Sequence, residues 1–460
     1  MKEFDSLYFV GAGGIGMAAL ERYFLAQGKR VAGYDRTPSD LTHALEREGV
    51  HIDYDENPAL IPDYCRDSSR TLVVYTPAVP ASHQGLTYFR EHGFDVVKRA
   101  ALLGVVTAHS KALCFAGTHG KTTTSSMAAH MLHSSGIGCN AFLGGVLRNY
   151  DSNFLLSATS PYSVIEADEF DRSFHHLRPH VAVVTSTDPD HLDIYGTAEN
   201  YLESFAHFTE LIQPGGALIV HTGLALQPRV GKEVKTYTYS RDNGDFHAAN
   251  ICKGNGEITF DLVTPWETVP GISLGVPVDI NIENAIAAMA ACRLVDTPLD
   301  AMRDAMATFM GPKRRFEFWL KEPGERGRVM IDDYAHHPGE LRASIASVRD
   351  LYPGRQLTVI FQPHLYSRTR DFAPEFAAAL SLADEVILLP IYPAREEPIP
   401  GVTSEMVLEQ VTSTKKIIYS KENLIGSIKK SNFDVLLTAG AGDIANLLPQ
   451  ICVEYKKQKR

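Results

Sequence analysis

The run Gly117-Thr118-His119-Gly120-Lys121-Thr122-Thr123 follows the apolar stretch ALCFA and precedes a helical pattern. A strand ending in such a loop turns backbone N–H groups and a helix N-terminus toward an anion. The lysine adds charge at the β- and γ-phosphates of a nucleotide, and the next hydroxyl reaches a magnesium ion. The complete phosphate-loop pattern has glycine at 115; Phe115 stands there and Gly117 takes over the role. The plain alternative is a glycine turn beside an ordinary surface lysine.

A second glycine turn, Gly11-Ala12-Gly13-Gly14-Ile15-Gly16, follows LYFV, and Asp35 ends the next apolar run. This spacing brings a helix N-terminus onto a diphosphate, and it suits NAD, another nucleotide diphosphate, or only a packing turn. One chain carrying both loops suggests two nucleotides, one a substrate and one an energy source. Glu166-Ala167-Asp168-Glu169-Phe170-Asp171 follows the apolar SVI. An acid at a strand end beside a phosphate loop is placed to hold Mg²⁺ directly or through water, and Glu166 lies nearest the strand. Asp188-Pro189-Asp190-His191-Leu192-Asp193 follows VAVVTS, and its histidine reads as a metal ligand flanked by carboxylates or as a structural residue.

The last third of the chain offers Arg314-Arg315-Phe316, Asp332-Asp333-Tyr334-Ala335-His336-His337-Pro338, Gln362-Pro363-His364 and Arg368-Thr369-Arg370. Each lies at or just past an expected strand end, where open α/β sheets present their ligand loops. The planar fork of arginine matches carboxylate and phosphate. His336 and His337, adjacent on an extended segment, point opposite ways and do not share one ion.

Positioning these groups requires strands at LYFVGA, KRVAGYD, TLVVYTPA, DVVKR, ALCFA, RVMIDDY, LTVIFQP, EVILLPIY, KIIYS and DVLLTAG, alternating with helices. That alternation is the mark of parallel sheets covered by helices. Residues 235–267 predict short antiparallel strands separated by Asn-Gly turns, followed by helices at NIENAIAAMAACRLV and LDAMRDAMATFM. Boundaries near residue 107 and after Gly311-Pro312 divide the 460 residues into three α/β units in series. Apolar content of 44% gives each a core of its own, and a formal charge of -11 argues against nucleic acid or an acidic membrane surface as partner. The six cysteines are scattered without a CxxC pair, as in a reduced cytoplasmic protein. We expect no signal peptide and no spanning helix.

In chain order, VGAGGIGM, YTPAVP, AGTHGKTTT, EADEFD, DPDHLD, Asn281 with Asn284, GPKRRF, DDYAHHP and FQPHLYSRTRDF resemble the Mur ligases over essentially the whole chain. AGTHGKTTT with EADE is shared with the branch that recycles muropeptides, whereas GAGGIGM and FQPHLYSRT look like the alanine-adding branch. The resemblance implies an α/β protein of three domains. These are a Rossmann-like UDP-sugar-binding domain over 1–106, a central P-loop ATPase domain over 107–311 and a Rossmann-like C-terminal ligase domain over 312–460. It implies ATP-dependent amide formation in peptidoglycan precursor synthesis, in the cytoplasm, by a monomer or weak homodimer. On that resemblance ATP would phosphorylate the muramyl carboxylate of UDP-N-acetylmuramate and L-alanine would attack the acyl phosphate; the alternative is a muropeptide ligase attaching a tripeptide to the same UDP-sugar.

By the same resemblance Lys121, Glu166, His191 and Arg315 are catalytic, and Thr122, Glu166 and His191 bind Mg²⁺. ATP is held by Gly117 through Thr123, with Asn281, Asn284, Arg315 and Asp333. Gly11, Gly13, Gly14, Gly16 and Asp35 serve the UDP-sugar, while Tyr334, His336 and Arg368 line the amino-acid end. Three positions depart from the family pattern: Ser186 stands for a frequent asparagine, Ile280 for a frequent histidine and Leu365 for an arginine in some relatives. A dehydrogenase built on GAGGIG leaves the lysine loop, EADE and DHLD unexplained. A nonenzymatic nucleotide-binding regulator leaves the C-terminal arginines and histidines without a purpose.

Overall fold

Short aliphatic and β-branched runs separated by helices form three main sheets in the computed structural model. It describes residues 4–457 apart from 77–78, 255, 325, 395 and 429–432. Pro77 and Ala78 of YTPAVP and Asn255 of the second Asn-Gly pair thus lie outside the described residues. The first sheet holds β1 (Ser6–Val10), β2 (Arg30–Tyr34), β3 (His51–Asp53), β4 (Thr71–Tyr75) and β5 (Asp95–Lys98) in the order β3-β2-β1-β4-β5. All its pairs are parallel. Every residue of β1 is buried, as expected of a strand covered by helices on both faces. Strand order reverses beside β1, so the glycine turn after it opens into the switch-point crevice.

The second sheet holds β6 (Lys111–Ala116), β7 (Asn140–Leu147), β8 (Ser152–Leu155), β9 (Tyr162–Glu166), β10 (Pro179–Val184), β11 (Ala217–His221) and β12 (Lys235–Tyr239). Its order, β12-β11-β10-β6-β9-β7-β8, sets β6 between β9 and β10, again at a switch point. Only β7 and β8 pair antiparallel. Both sheets fall in one compact unit comprising 1–249, 262–270 and 283–307. One apolar cluster runs from Leu7 and Phe9 through Met17, Leu20 and Phe142 to Cys114 and Ile165. The helix Ile15–Ala26 contributes to it, and Tyr23 meets Phe142 with ring centroids 5.6 Å apart.

β13 (His247–Gly254), β14 (Glu257–Val263) and β15 (Thr268–Ser273) form a small sheet in that order. The expectation of antiparallel strands across 235–267 needs correction at its start. Lys235–Tyr239 joins the central sheet in parallel, with Lys235 opposite Ala217. Its alternation imitates a hairpin strand because β12 is an edge strand, exposed at Lys235 and Thr236.

The second compact unit comprises 250–261, 271–282 and 308–460. Its main sheet holds β16 (Glu317–Lys321), β17 (Val329–Asp333), β18 (Leu357–Phe361), β19 (Glu385–Leu388), β20 (Lys415–Ile418) and β21 (Val435–Ala439). The order is β16-β17-β21-β18-β19-β20, with only β16 antiparallel. Among the described residues no helix is long and apolar enough to cross a membrane.

Candidate active site

The apolar strand β6 is buried from Ala112 to Ala116 and delivers the loop 117–120 to the N-terminus of the helix Lys121–Ser134. Gly117 has φ +142°, and a Cβ there would lie 2.1 Å from Thr185 Oγ1 and 2.9 Å from the Ser186 backbone nitrogen. Gly120, at φ +86°, closes on Asn284, whose Oδ1 also accepts the Thr124 hydroxyl at 3.2 Å. Lys121 Nζ donates to Gly117 O at 2.6 Å and to Glu169 at 2.8 Å. The Thr122 hydroxyl donates to Glu166 Oε1 at 2.9 Å, and the Gly144 N–H to Glu166 Oε2 at 3.0 Å. Burial pushes the Glu166 carboxyl above its ordinary range, while the Thr122 hydroxyl and the Lys121 charge pull it back. Burial raises Glu169 as well, against the pull of Lys121.

The loop after β10 completes this frame. Ser186 Oγ accepts the His119 N–H at 2.8 Å, and Thr118 Oγ1 reaches Asp188 O at 2.7 Å and the Tyr201 hydroxyl at 2.9 Å. His191 is left-handed (φ +52°), with its ring 5.2 Å from that of Phe170 and its Nε2 3.7 Å from Asp190. The structure therefore joins Thr122 to Glu166 and Lys121 to Glu169 through direct bonds, whereas His191 touches the acidic segment through Phe170. Among the described residues no three His, Cys, Asp or Glu side chains assemble around one point.

At the first glycine turn, the Gly13 N–H donates to Asp35 Oδ2 at 2.6 Å and Gly11 has φ +95°. Gly14 caps the helix Ile15–Ala26. A cavity of about 240 Å³ runs from Gly14 and Gly16 past Arg99 and Phe142 to Gly144 and Glu166. Arg99 Nη1 would lie 3.0 Å from a Cβ at Gly16, and its guanidinium makes no hydrogen bond or ion pair with the described residues. Lys98 beside it is fixed by an ion pair to Asp171 at 2.8 Å.

In the second unit, Arg314 bonds the buried Asp332 at 3.2 Å and donates to Gly440 O. Burial pushes Asp332 up to about 6, with Arg314 opposing it. Arg315 is exposed, its guanidinium 5.9 Å from the Tyr334 ring centre. Asp333 accepts the Phe316 N–H at 3.2 Å, the Tyr334 N–H at 3.0 Å and the Ser344 hydroxyl. The His336 ring packs against Tyr334 and, at 6.0 Å, His364, which lies 3.5 Å from Arg368 Nη1. Burial lowers both histidines, and the Arg368 charge adds to it. His337 turns the other way, capping the helix Pro338–Leu351 and meeting Phe372. The cluster Arg315, Tyr334, His336, His364 and Arg368 thus lies past the C-terminal ends of β17 and β18. Asn281 is buried and donates to Val276 O at 3.0 Å.

Three family models cover the chain: the Mur ligase family catalytic domain over residues 6–111, the Mur ligase middle domain over 115–292 and the Mur ligase glutamate ligase domain over 314–442. A UDP-N-acetylmuramate–L-alanine ligase of Phocaeicola vulgatus is 58% identical over 97% of this chain and 97% of its own length. The chain belongs to the Mur ligase family. The same-named protein of Parabacteroides distasonis is also 58% identical, over 99% of this chain and 98% of its own. The crystal structure of the UDP-N-acetylmuramate–alanine ligase of Thermotoga maritima matches with a TM-score of 0.77 at 25% identity, covering 99% of this chain and 100% of that one.

Two of the three departures from the Mur ligase pattern have visible structural roles. Ser186 braces the phosphate loop through the His119 amide. Leu365 takes a left-handed φ of +70° and opens the short helix Tyr366–Asp371, which carries Arg368. Ile280 is 59% exposed at the start of the helix Ile280–Arg293. Sequence reasoning gave no role to Glu169 or Arg99 and treated Ser186 only as a departure from the family pattern. The strand-end rule that singled out Glu166 also points to Arg99, which directly follows β5. Nothing in the pattern EADEFD tells Glu166 from Glu169, because only folding shows which carboxylate meets the lysine.

Proposed function

We propose that this Mur ligase joins L-alanine to the carboxylate of UDP-N-acetylmuramate, consuming ATP and releasing ADP and phosphate. The observation that carries this reading is the near full-length identity to relatives named for that reaction. A carboxylate is a poor electrophile, so its phosphorylation supplies the leaving group, and the alanine amine expels phosphate through a tetrahedral intermediate.

The loop 117–123 and Lys121 hold the ATP phosphates, where the lysine charge offsets negative charge on the transferring phosphoryl group. Asn281 and Asn284 serve the adenine end, and Arg315 and Asp333 the phosphates and ribose. The Thr122–Glu166 pair suits a hard cation that keeps most of its waters and takes few protein oxygens, which fits Mg²⁺; His191 joins them. When bound, the ion neutralises phosphate charge. Gly11, Gly13, Gly14, Gly16 and Asp35 form the UDP-sugar end, and the unpartnered Arg99 adds a cation for its diphosphate. Tyr334, His336 and Arg368 receive the alanine. The domain boundaries at 106/107 and 311/312 lie near the limits of the family models, which cover 6–111, 115–292 and 314–442.

The test is ATP consumption by the purified protein with candidate substrates. We expect turnover only when UDP-N-acetylmuramate and L-alanine are both present. Turnover with a tripeptide and not alanine would assign the muropeptide chemistry instead, and stoichiometric NAD in the protein would overturn the reading of the first glycine turn.

Arg368→Lys keeps the charge and loses the planar fork. Its KM for alanine is expected to rise about tenfold more than its KM for ATP, a difference of roughly 1.4 kcal/mol; equal rises would mark a general defect in the second unit.

The segment from Leu192 to Gly231 contains no lysine. Several family members that add later residues carbamylate a lysine there, so this enzyme's activity should not respond to withdrawing and restoring bicarbonate. His191→Ala should raise the Mg²⁺ concentration for half-maximal rate, because few protein ligands share the ion. Rescue by bicarbonate, or an unchanged Mg²⁺ requirement in the variant, would show the metal to be placed wrongly.

A further inference from the structure

Glu169 is one of three acids of EADEFD that the reaction scheme above leaves unused, and it is the one that meets Lys121. Its carboxylate is only 2% exposed and lies 2.8 Å from the Lys121 ammonium. The segment carrying it is held from several sides. The Tyr195 hydroxyl and the Arg172 N–H both donate to Glu169 O, and the Phe174 N–H donates to Asp168 O. Glu166, three residues earlier, is committed to the Thr122 hydroxyl and the Gly144 N–H. The two glutamates thus have separate partners, one facing the hydroxyl of the loop and the other facing its cation.

Lysine is a point charge on a flexible four-carbon stem, and its direction must be fixed from outside. A charge that stabilises a transition state does so most effectively when it needs no reorganisation as the reaction proceeds. Gly117 O supplies one fixed acceptor, but a carbonyl carries no net charge and cannot balance a largely buried ammonium. Glu169 supplies both a second acceptor and that balance.

We propose that Glu169 is a positioning residue, a buried counter-ion that fixes the Lys121 ammonium at the phosphate loop and so tunes its action on the transferring phosphoryl group. The inference rests on the ATP-dependent reading. It makes the acid necessary for rate and not for ATP affinity, because an ammonium freed of its carboxylate attracts a polyphosphate at least as strongly.

Glu169→Gln keeps the size and a hydrogen-bond acceptor and removes the charge; Glu169→Asp keeps the charge on a shorter stem. In full-length protein we expect kcat to fall at least tenfold in Glu169→Gln and to recover partly in Glu169→Asp. ATP binding with Mg²⁺, measured by calorimetry, should be unweakened, and the KM values for UDP-N-acetylmuramate and alanine unchanged. In a double-mutant cycle with Lys121→Met, adding Glu169→Gln should lower kcat by less than a further threefold, because the acid acts through the lysine. Multiplying losses in the double variant, ATP affinity that falls in step with kcat, or failure of Glu169→Gln to fold together with an inactive, folded Glu169→Asp would overturn the proposal. No ATP binding by the unmodified protein would instead defeat the ATP-dependent reading itself.

Discussion

Lys121→Ala is expected to lower ligation by about a hundred- to a thousandfold, the range for deleting one donor aimed at developing charge, roughly 2.7–4 kcal/mol. The loss should fall on kcat and kcat/KM together, since the lysine acts on the phosphoryl group in transfer. A second effect accompanies it. The lysine side chain is 14% exposed and pairs with a carboxylate that is 2% exposed, so its removal strands a buried acid. Breaking such a pair from one side costs on the order of 3 kcal/mol of stability. Lys121→Ala should therefore melt at a lower temperature as well, and adding Glu169→Gln should restore the melting temperature without restoring the rate. A single variant retaining a tenth of the original turnover would exclude the assigned role.

Gly117→Ala is the second large effect. At φ +142° the alanine is strained by about 1–3 kcal/mol, and its methyl group would meet Thr185 Oγ1 at 2.1 Å and the Ser186 backbone at 2.9 Å. Thr185 cannot simply turn away, because its hydroxyl holds Ala116 O and His119 O. The loop must move, and with it the amides offered to phosphate. We expect ligation to drop by at least about a hundredfold, or roughly 2.7 kcal/mol, with ATP affinity falling in parallel. Gly28→Ala is the control, since Gly28 is also left-handed (φ +76°) but has open space around it. It should cost a little stability and no activity. Equal behaviour of the two variants would show that the approach of Thr185 and Ser186 does not account for the loss at Gly117.

The strands that sequence revealed best are those buried on both faces. SLYFV, KALCFA, LTVIF and VLLTA read as continuous apolar runs and are parallel strands near the middle of their sheets. β11, an apolar strand paired on both sides, was passed over, and the other strands that escaped include edge or interrupted ones. β3 is three residues long, β7 contains Gly144 and Gly145, and β8 pairs only with β7. A short or glycine-bearing strand has too few side chains to show a period, and its pairing partner alone makes it a strand. The site divides along similar lines. Lys121, Thr122 and Glu166 were legible because strand-end loops have fixed relations to their sheet. Arg315 and Arg314 stand side by side, yet Arg314 is spent on Asp332, and no spacing rule separates them. Asp35, read as a ligand residue, is seen here holding the Gly13 amide.

The loops bearing Glu166, Lys121 and His191 leave three strands that are immediate neighbours, β9, β6 and β10. Backbone pairing holds adjacent strands about 4.8 Å apart whatever their side chains. The separation of Glu166 from the phosphate loop is thus set largely by the pairing of the peptide backbone, whereas His191 lies seven residues past the end of β10 and depends on its loop as well. On the proposed reading, choice of sugar nucleotide and of amino acid rests on the Arg99 cavity and the Tyr334–Arg368 cluster.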